Sequence, residues 1–188
     1  MRELALHILD IAENSISAGA DRVRISVEED LRDDRLTITI EDNGKGMDAE
    51  TVARITDPFI TSRTTRSVGL GIPFFKAAAE ACEGYFTIQS RPGLGTTVTA
   101  VFKRSHIDRM PLGDLAGTLQ TLIIGTPEVH WIFKYRINDE EFQFDDQPVK
   151  EILAGVSISD PSVMRYIRET LRTGIDEIRQ KTLTPANN

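Results

Sequence analysis

Four short groupings in this sequence carry residue types able to do chemistry. Asp10 and Asn14 stand four apart, so on a helix they share a face one turn apart. A carboxylate beside an amide oxygen suits the handling of water or a hard cation. Asp42-Asn43-Gly44-Lys45-Gly46-Met47 follows the alternating run Leu36–Glu41, so a strand delivers the Asp42 carboxylate to its end. Gly44 and Gly46 then let backbone approach a ligand closely. Gly69-Leu70-Gly71 precedes a helical pattern and offers backbone N–H groups to phosphate oxygens. Gly95-Thr96-Thr97 opens a strand. Each grouping also has an ordinary reading. Asp-Gly turns are common on surfaces, and the stripe Glu3, His7, Asp10, Asn14 is equally a solvated helix face.

The elements that must hold these groupings follow from periodicity. Arg2 to Ala18 reads as a helix whose apolar residues, from Leu4 to Ile16, fall within an arc of about 160°, with Gly19 as its C-cap. Val23, Ile25 and Val27 alternate as a strand, Glu28 to Arg35 is expected as a loop, and Leu36–Glu41 pairs back antiparallel. Asp48 caps a short helix over Ala49–Ile55, which Asp57-Pro58 stops. Phe59 to Val68 lacks periodicity and carries Arg63 and Arg66, the pattern of a functional loop. A helix over Ile72–Glu83 buries Cys82 as core packing, and Tyr85–Ser90 and Thr96–Lys103 form a hairpin across Arg91–Gly95. Strand pairs set between helices predict an α+β two-layer sandwich. After a connector at Ser105–Gly113, an αββαα tail is expected: a helix over Leu112–Ile123, strands at Val129–Ile137 and around Phe142–Phe144, and helices over Pro148–Leu153 and Pro161–Ile178. The expected division is 1–104 and 105–188, with the small tail packing on the first part or binding a partner. Its aromatic residues, Trp131, Phe133 and Tyr135 among them, alternate as a buried strand face does.

Composition narrows the classes. A net charge of −7 over 188 residues argues against nucleic acid or an anionic membrane as partner. No run of about 18 apolar residues is present to span a bilayer, and the N-terminal helix pattern is not a signal peptide. The single cysteine excludes an internal disulfide, which suits the cytoplasm. His7, His106 and His130 lack metal-ligand spacing.

The four groupings, in this order, resemble the nucleotide-binding domain of the GHKL superfamily: DNA gyrase, the 90-kDa heat-shock chaperone, sensor histidine kinases and the mismatch-repair ATPases. Glu13-Asn14-Ser15-Ile16-Ser17-Ala18-Gly19-Ala20 is similar to the mismatch-repair form, and Phe59 through Thr97 to the histidine-kinase form. The resemblance spans Leu4 to Phe102. It implies the Bergerat fold, an α/β sandwich on a mixed sheet, with ATP and Mg²⁺ as ligands. It assigns Asn14 to the metal, and Asp10 to the position of a glutamate that activates water, here one methylene shorter. It gives Asp42 the reading of adenine, whose exocyclic amine is a donor that guanine lacks at that position. Gly44 and Gly46 permit close approach, and Met47 is either a wall against the base or core. Gly69, Leu70 and Gly71 would meet phosphate, although Ser67 stands where sensor kinases carry another glycine. The loop with Arg63 and Arg66 would be the ATP lid, its arginines neutralising phosphate or simply solvated, and Thr97 would support water near adenine.

Three functions are compatible with that constellation. The first is a protein kinase or signalling module acting on a partner chain. Only thirteen residues precede Asn14, so the helical hairpin of a sensor kinase is not expected ahead of it, and His7 is no substitute for a phosphoacceptor. The others are a slow ATPase that switches a partner, and an ATP sensor without hydrolysis. The partner is expected to be protein, and a homodimer is compatible with any of the three.

Overall fold

The computed structural model describes residues 3–56, 70–153 and 155–183. Its elements are α1 (Leu4–Ser17), β1 (Arg22–Asp30), β2 (Arg35–Asp42), α2 (Ala49–Ile55), α3 (Gly71–Glu80), β3 (Tyr85–Arg91), β4 (Gly95–Lys103), α4 (Leu115–Gly125), β5 (His130–Ile137), β6 (Glu140–Asp145), α5 (Gln147–Ile152) and α6 (Pro161–Leu183). The strands form one sheet in the order β3-β4-β2-β1-β5-β6. Every pair is antiparallel except β1–β5, which makes the sheet mixed. A parallel neighbour needs a crossover, and α4 is the helix of the crossover that leads into β5. The C-terminal residues therefore enter the sheet, with Arg22 opposite His130 and Glu29 opposite Ile137.

Alternation sets which face is covered. Val23, Ile25 and Val27 of β1, Leu36, Ile38 and Ile40 of β2, and Trp131, Phe133 and Tyr135 of β5 are all buried in one cluster with helical side chains. α1, α3, α4 and α6 supply those helical residues, α6 through Val163, Ile167, Leu171, Ile175 and Ile178 at helical spacing. Gly174 lets α6 lie close on the sheet, because a Cβ there would run into the Phe142 ring. The opposite face is polar, and cross-strand pairs such as Arg24–Glu41 (3.8 Å) and Lys134–Glu141 (2.8 Å) lie on it. No described helix is long and apolar enough to cross a membrane.

Two sequence expectations are corrected here. Glu28–Arg35 is not all loop, since β1 runs on to Asp30 and β2 starts at Arg35. The acidic run stays in the sheet because its charges find partners. Glu29, only 7% exposed, accepts hydrogen bonds from Arg104 Nε at 2.6 Å and from the Tyr135 hydroxyl at 2.7 Å. Glu28 pairs with Arg136 across to β5. The second correction is His7, which leaves the polar stripe of α1 and is 3% exposed. Its ring stacks on Phe75 of α3, with centroids 5.2 Å apart and planes at 14°. The stripe was narrow enough to miss this, because α3 covers the edge of α1 that bears His7.

Burial, and secondarily the charge of the N-terminus, push the His7 imidazole down to about 4 from its ordinary 6.5. The unfolded chain then binds a proton that the folded chain refuses between those two values, so stability falls as pH drops through that window. The loss expected from pH 7 to pH 4 reaches up to about 3 kcal/mol. His7→Phe keeps an aromatic ring for the stack and cannot titrate. Urea denaturation at pH 7 and pH 4.5 is expected to show a smaller acid loss for this variant than for the parent. Equal losses would mean that His7 is not the titrating group.

Candidate functional site

Asp42 ends β2 between two neighbours, opposite Val23 of β1 and Thr96 of β4. Its carboxylate is already oriented by the protein. Oδ1 accepts the Gly44 N–H at 2.9 Å and Oδ2 accepts the Ser15 hydroxyl of α1 at 2.8 Å. A carboxylate has about four lone-pair positions, so acceptor capacity remains for a ligand. The turn that follows is held on both sides. Lys45 N–H donates to Ala18 O at the end of α1 (2.9 Å), and Gly93 N–H, in the β3–β4 turn, donates to Lys45 O (2.7 Å). Gly46 sits at φ +65°, where a Cβ would run into the Arg91 carbonyl oxygen, so no other residue fits. Met47 N–H donates to Ser90 Oγ at 2.8 Å.

Beneath this turn lies a mainly apolar cavity of about 160 Å³, walled by Ile11, Met47, Ile55, Ile72 and Val98, with Asn14, Ser15, Ser17, Asp42, Lys45 and Thr96 as polar members. Met47 is thus both wall and packing, since it also rests on the core. A second, polar cavity adjoins it, lined by Asp10, Glu13, Asn14, Ser17, Leu70, Gly71 and Phe74. Asn14 and Ser17 line both. At the polar end α3 begins against α1 so closely that a Cβ on Gly71 would lie 2.8 Å from Asp10 Cβ. This places the start of a ten-residue helix, with its free N–H groups, beside Asp10. Burial raises the Asp10 carboxyl above the ordinary carboxylate range, against a smaller lowering by the N-terminal charge.

The structure thus brings together Asp10, Asn14, Asp42, Gly44, Gly46, Met47, Leu70 and Gly71. Arg63 and Gly69, with Arg66 and Ser67, lie outside the described residues. Thr97 does not join the group. It borders a groove with Arg22, Arg24 and Glu41 on the polar face of the sheet, and Thr96 lines the apolar cavity in its place. Side chains alternate along a strand, so only one of two adjacent threonines can face the cavity, and Val98 and Ala100 in the core fix which. Ser15 was missed as well, although the sequence held a signal for it. At 100° per residue it falls within about 20° of Leu4, a hydroxyl in the middle of the apolar arc.

The three histidines stay out of this site. His130 Nε2 lies 2.8 Å from Asp145 Oδ1, and with Asp146 the two bring ligand-type atoms within 4.8 Å of one another. Lys150 already supplies a cation there, its Nζ 2.7 Å from Asp146 Oδ2. The cluster is an ion-pair network closing the end of β6.

Comparison with known proteins agrees with this geometry. The family described as histidine kinase-, DNA gyrase B-, and HSP90-like ATPase matches residues 2–106. The sensor protein kinase FleS of Pseudomonas aeruginosa is 42% identical over 94 residues, covering 50% of this chain and 23% of that protein. The signal transduction histidine-protein kinase AtoS of Escherichia coli is 34% identical over 101 residues, covering 54% of this chain and 16% of that protein. The chain spans less than a quarter of the length of these relatives. Among solved structures, the N-terminal domain of a DNA repair protein superposes with a TM-score of 0.55 at 14% identity, over 88% of this chain and 59% of that one, a likeness of fold. With more than half of its length matched, the chain belongs to the histidine kinase-, DNA gyrase B- and HSP90-like ATPases, a family of ATP-binding domains.

Proposed function

We propose that this chain binds Mg²⁺ and ATP across the two joined cavities and serves as a signalling module that passes the terminal phosphate to a partner protein. The observation that carries this reading is the position of Asn14, which lines both the apolar cavity beside Asp42 and the polar cavity beside Asp10. One wall of α1 therefore runs from a base-sized apolar space to a space with oxygen donors and a helix N-terminus. Asp42 accepts from the exocyclic amine of adenine, while Ile11, Met47, Ile72 and Val98 exclude water from the ring faces. Asp10, Glu13, Asn14 and Ser17 around the polar cavity present oxygen ligands, the donor set that a hard cation takes. Asn14 is the residue that would hold magnesium, directly or through its waters. Magnesium bound with the nucleotide would supply neutralisation of phosphate charge. The N–H groups of Gly71 and Ile72 at the start of α3 meet phosphate oxygens, and Pro73 next to them has none to give. The kinase names of the relatives support transfer to a partner over simple binding.

A second reading is a slow ATPase that switches a partner. Asp10 favours it, because a desolvated carboxyl with a raised pKa beside the phosphate end is poised to take a proton from water. Incubation with ATP labelled at the γ-phosphate separates the two. Label on a co-purified protein supports transfer, and release of free phosphate alone supports the switch.

Asp42→Asn replaces an acceptor with an amide that can turn a donor toward the base. The expected result is roughly 100-fold weaker ATP binding by calorimetry, with an unchanged far-UV circular dichroism spectrum. Unaltered affinity would remove Asp42 from adenine recognition. Asp10→Asn is expected to lower turnover about 100-fold or more while binding changes only a few-fold. In the parent, the rate is expected to fall on the acid side as Asp10 takes up a proton, at a pH above the ordinary carboxylate range. Turnover untouched in Asp10→Asn would exclude Asp10 as the base.

A further inference from the structure

Ser90 of β3 contacts no ligand in the reading above, yet its hydroxyl sits where three segments of the nucleotide corner meet. Its Oγ accepts the Met47 N–H at 2.8 Å, donates to the Gly95 carbonyl at 3.1 Å, and lies 2.8 Å from Thr96 Oγ1. A hydroxyl has one proton and two lone pairs. The Gly95 carbonyl can only accept, so the Ser90 proton goes there. One lone pair of Ser90 takes the Met47 N–H, and the other takes the proton of Thr96. With its proton turned back to Ser90, Thr96 presents lone pairs alone to the cavity that it lines. Asp42, the cross-strand neighbour of Thr96, presents a carboxylate to the same cavity.

We propose that Ser90 is a positioning residue for nucleotide selection, which fixes the Thr96 hydroxyl as an acceptor so that Thr96 and Asp42 both face the base edge as acceptors. Two acceptors can take the two N–H groups of an amine at the purine six position, whereas an oxo group there faces them without a proton between. Ser90 achieves this while also bracing the turn. The Met47 bond and the Gly93–Lys45 bond tie Asp42–Met47 to the β3–β4 hairpin from both ends. The inference rests on the proposed binding of ATP.

The test compares ATP with inosine triphosphate, which carries an oxo group at position six and a proton on N1 and is otherwise close in shape. Calorimetry on the whole chain would give the ratio of the two affinities for the parent, Ser90→Ala, Ser90→Cys, Ser90→Thr, Thr96→Val and the double variant Ser90→Ala with Thr96→Val. Cysteine keeps the side-chain shape with a weak hydrogen-bonding group, so it serves if the alanine variant folds poorly. The preference for ATP is expected to narrow about tenfold in Ser90→Ala and Ser90→Cys, to return in Ser90→Thr, and to change less than twofold when Ser90→Ala is added to Thr96→Val. An unchanged preference in both Ser90→Ala and Ser90→Cys, with a lowered melting temperature or equally weakened binding of both nucleotides, would reduce Ser90 to a structural brace and overturn the proposal. A full effect persisting in the Thr96→Val background would overturn it too. A parent that binds neither nucleotide would instead defeat the ATP-binding reading on which the proposal depends.

Discussion

The corner around Asp42 depends on backbone meeting backbone, where the turn is pressed between the end of α1 and the β3–β4 hairpin. Gly46 leaves no room for a Cβ against the Arg91 carbonyl, and Lys45 is bonded through its N–H to Ala18 and through its carbonyl to Gly93. Such contacts are short and directional, so they set the turn within tenths of an ångström, as long flexible side chains could not. The Asp42 carboxylate inherits that precision. With Gly44 N–H on one oxygen and the Ser15 hydroxyl on the other, it faces the cavity in one orientation. Apolar burial makes the cavity, but the polar clamp decides what the cavity can read.

The same economy of contacts explains how the C-terminal residues join the fold. β5 adds beside β1 in parallel, and its Tyr135 hydroxyl donates to Glu29, which also accepts from Arg104 just after β4. Arg179 of α6 completes the group, donating from Nε to the Tyr135 oxygen at 3.1 Å. Burial and the Glu29 charge push the Tyr135 hydroxyl well above the ordinary tyrosine range, so it stays a proton donor to that carboxylate. A buried carboxylate with two donors is tolerated in the sheet, whereas one without them would break the strand. Strand β1 is therefore long because of residues more than seventy positions away.

That long-range dependence marks the limit of what the sequence discloses. Periodicity placed the helices and strands well, since each apolar arc or alternation is a local record of which face is buried. The acidic run at Glu28–Asp30 looked like a loop because its partners Arg104, Tyr135 and Arg136 are remote. His7 fell with Asp10 and Asn14 by angle alone, and only the arrival of Phe75 from α3 separates them. At Thr96-Thr97 the residue types are identical, so composition offered nothing, and the strand register had to choose. Ser15 is the counterexample. Its place on the apolar arc of α1 is visible in the sequence, and the structure shows that it serves Asp42.

The two ends of the site rest on different supports. The Asp42 end is fixed by the sheet and its turns, through bonds from β2, β3 and β4. The Asp10 end is fixed by helix packing, where Gly71 of α3 lies on Asp10 of α1 and, one turn further along, His7 stacks on Phe75. Moving α3 relative to α1 would shift the helix N-terminus and uncover Asp10 in one motion, since the same contact buries the carboxyl and seats the N–H groups. The Asp42 turn, tied to neither His7 nor Gly71, would stay as it is. The Asp42 turn and the α1–α3 contact thus have separate supports, although Ile72 of α3 also walls the apolar cavity, and Asn14 of α1 lines both cavities.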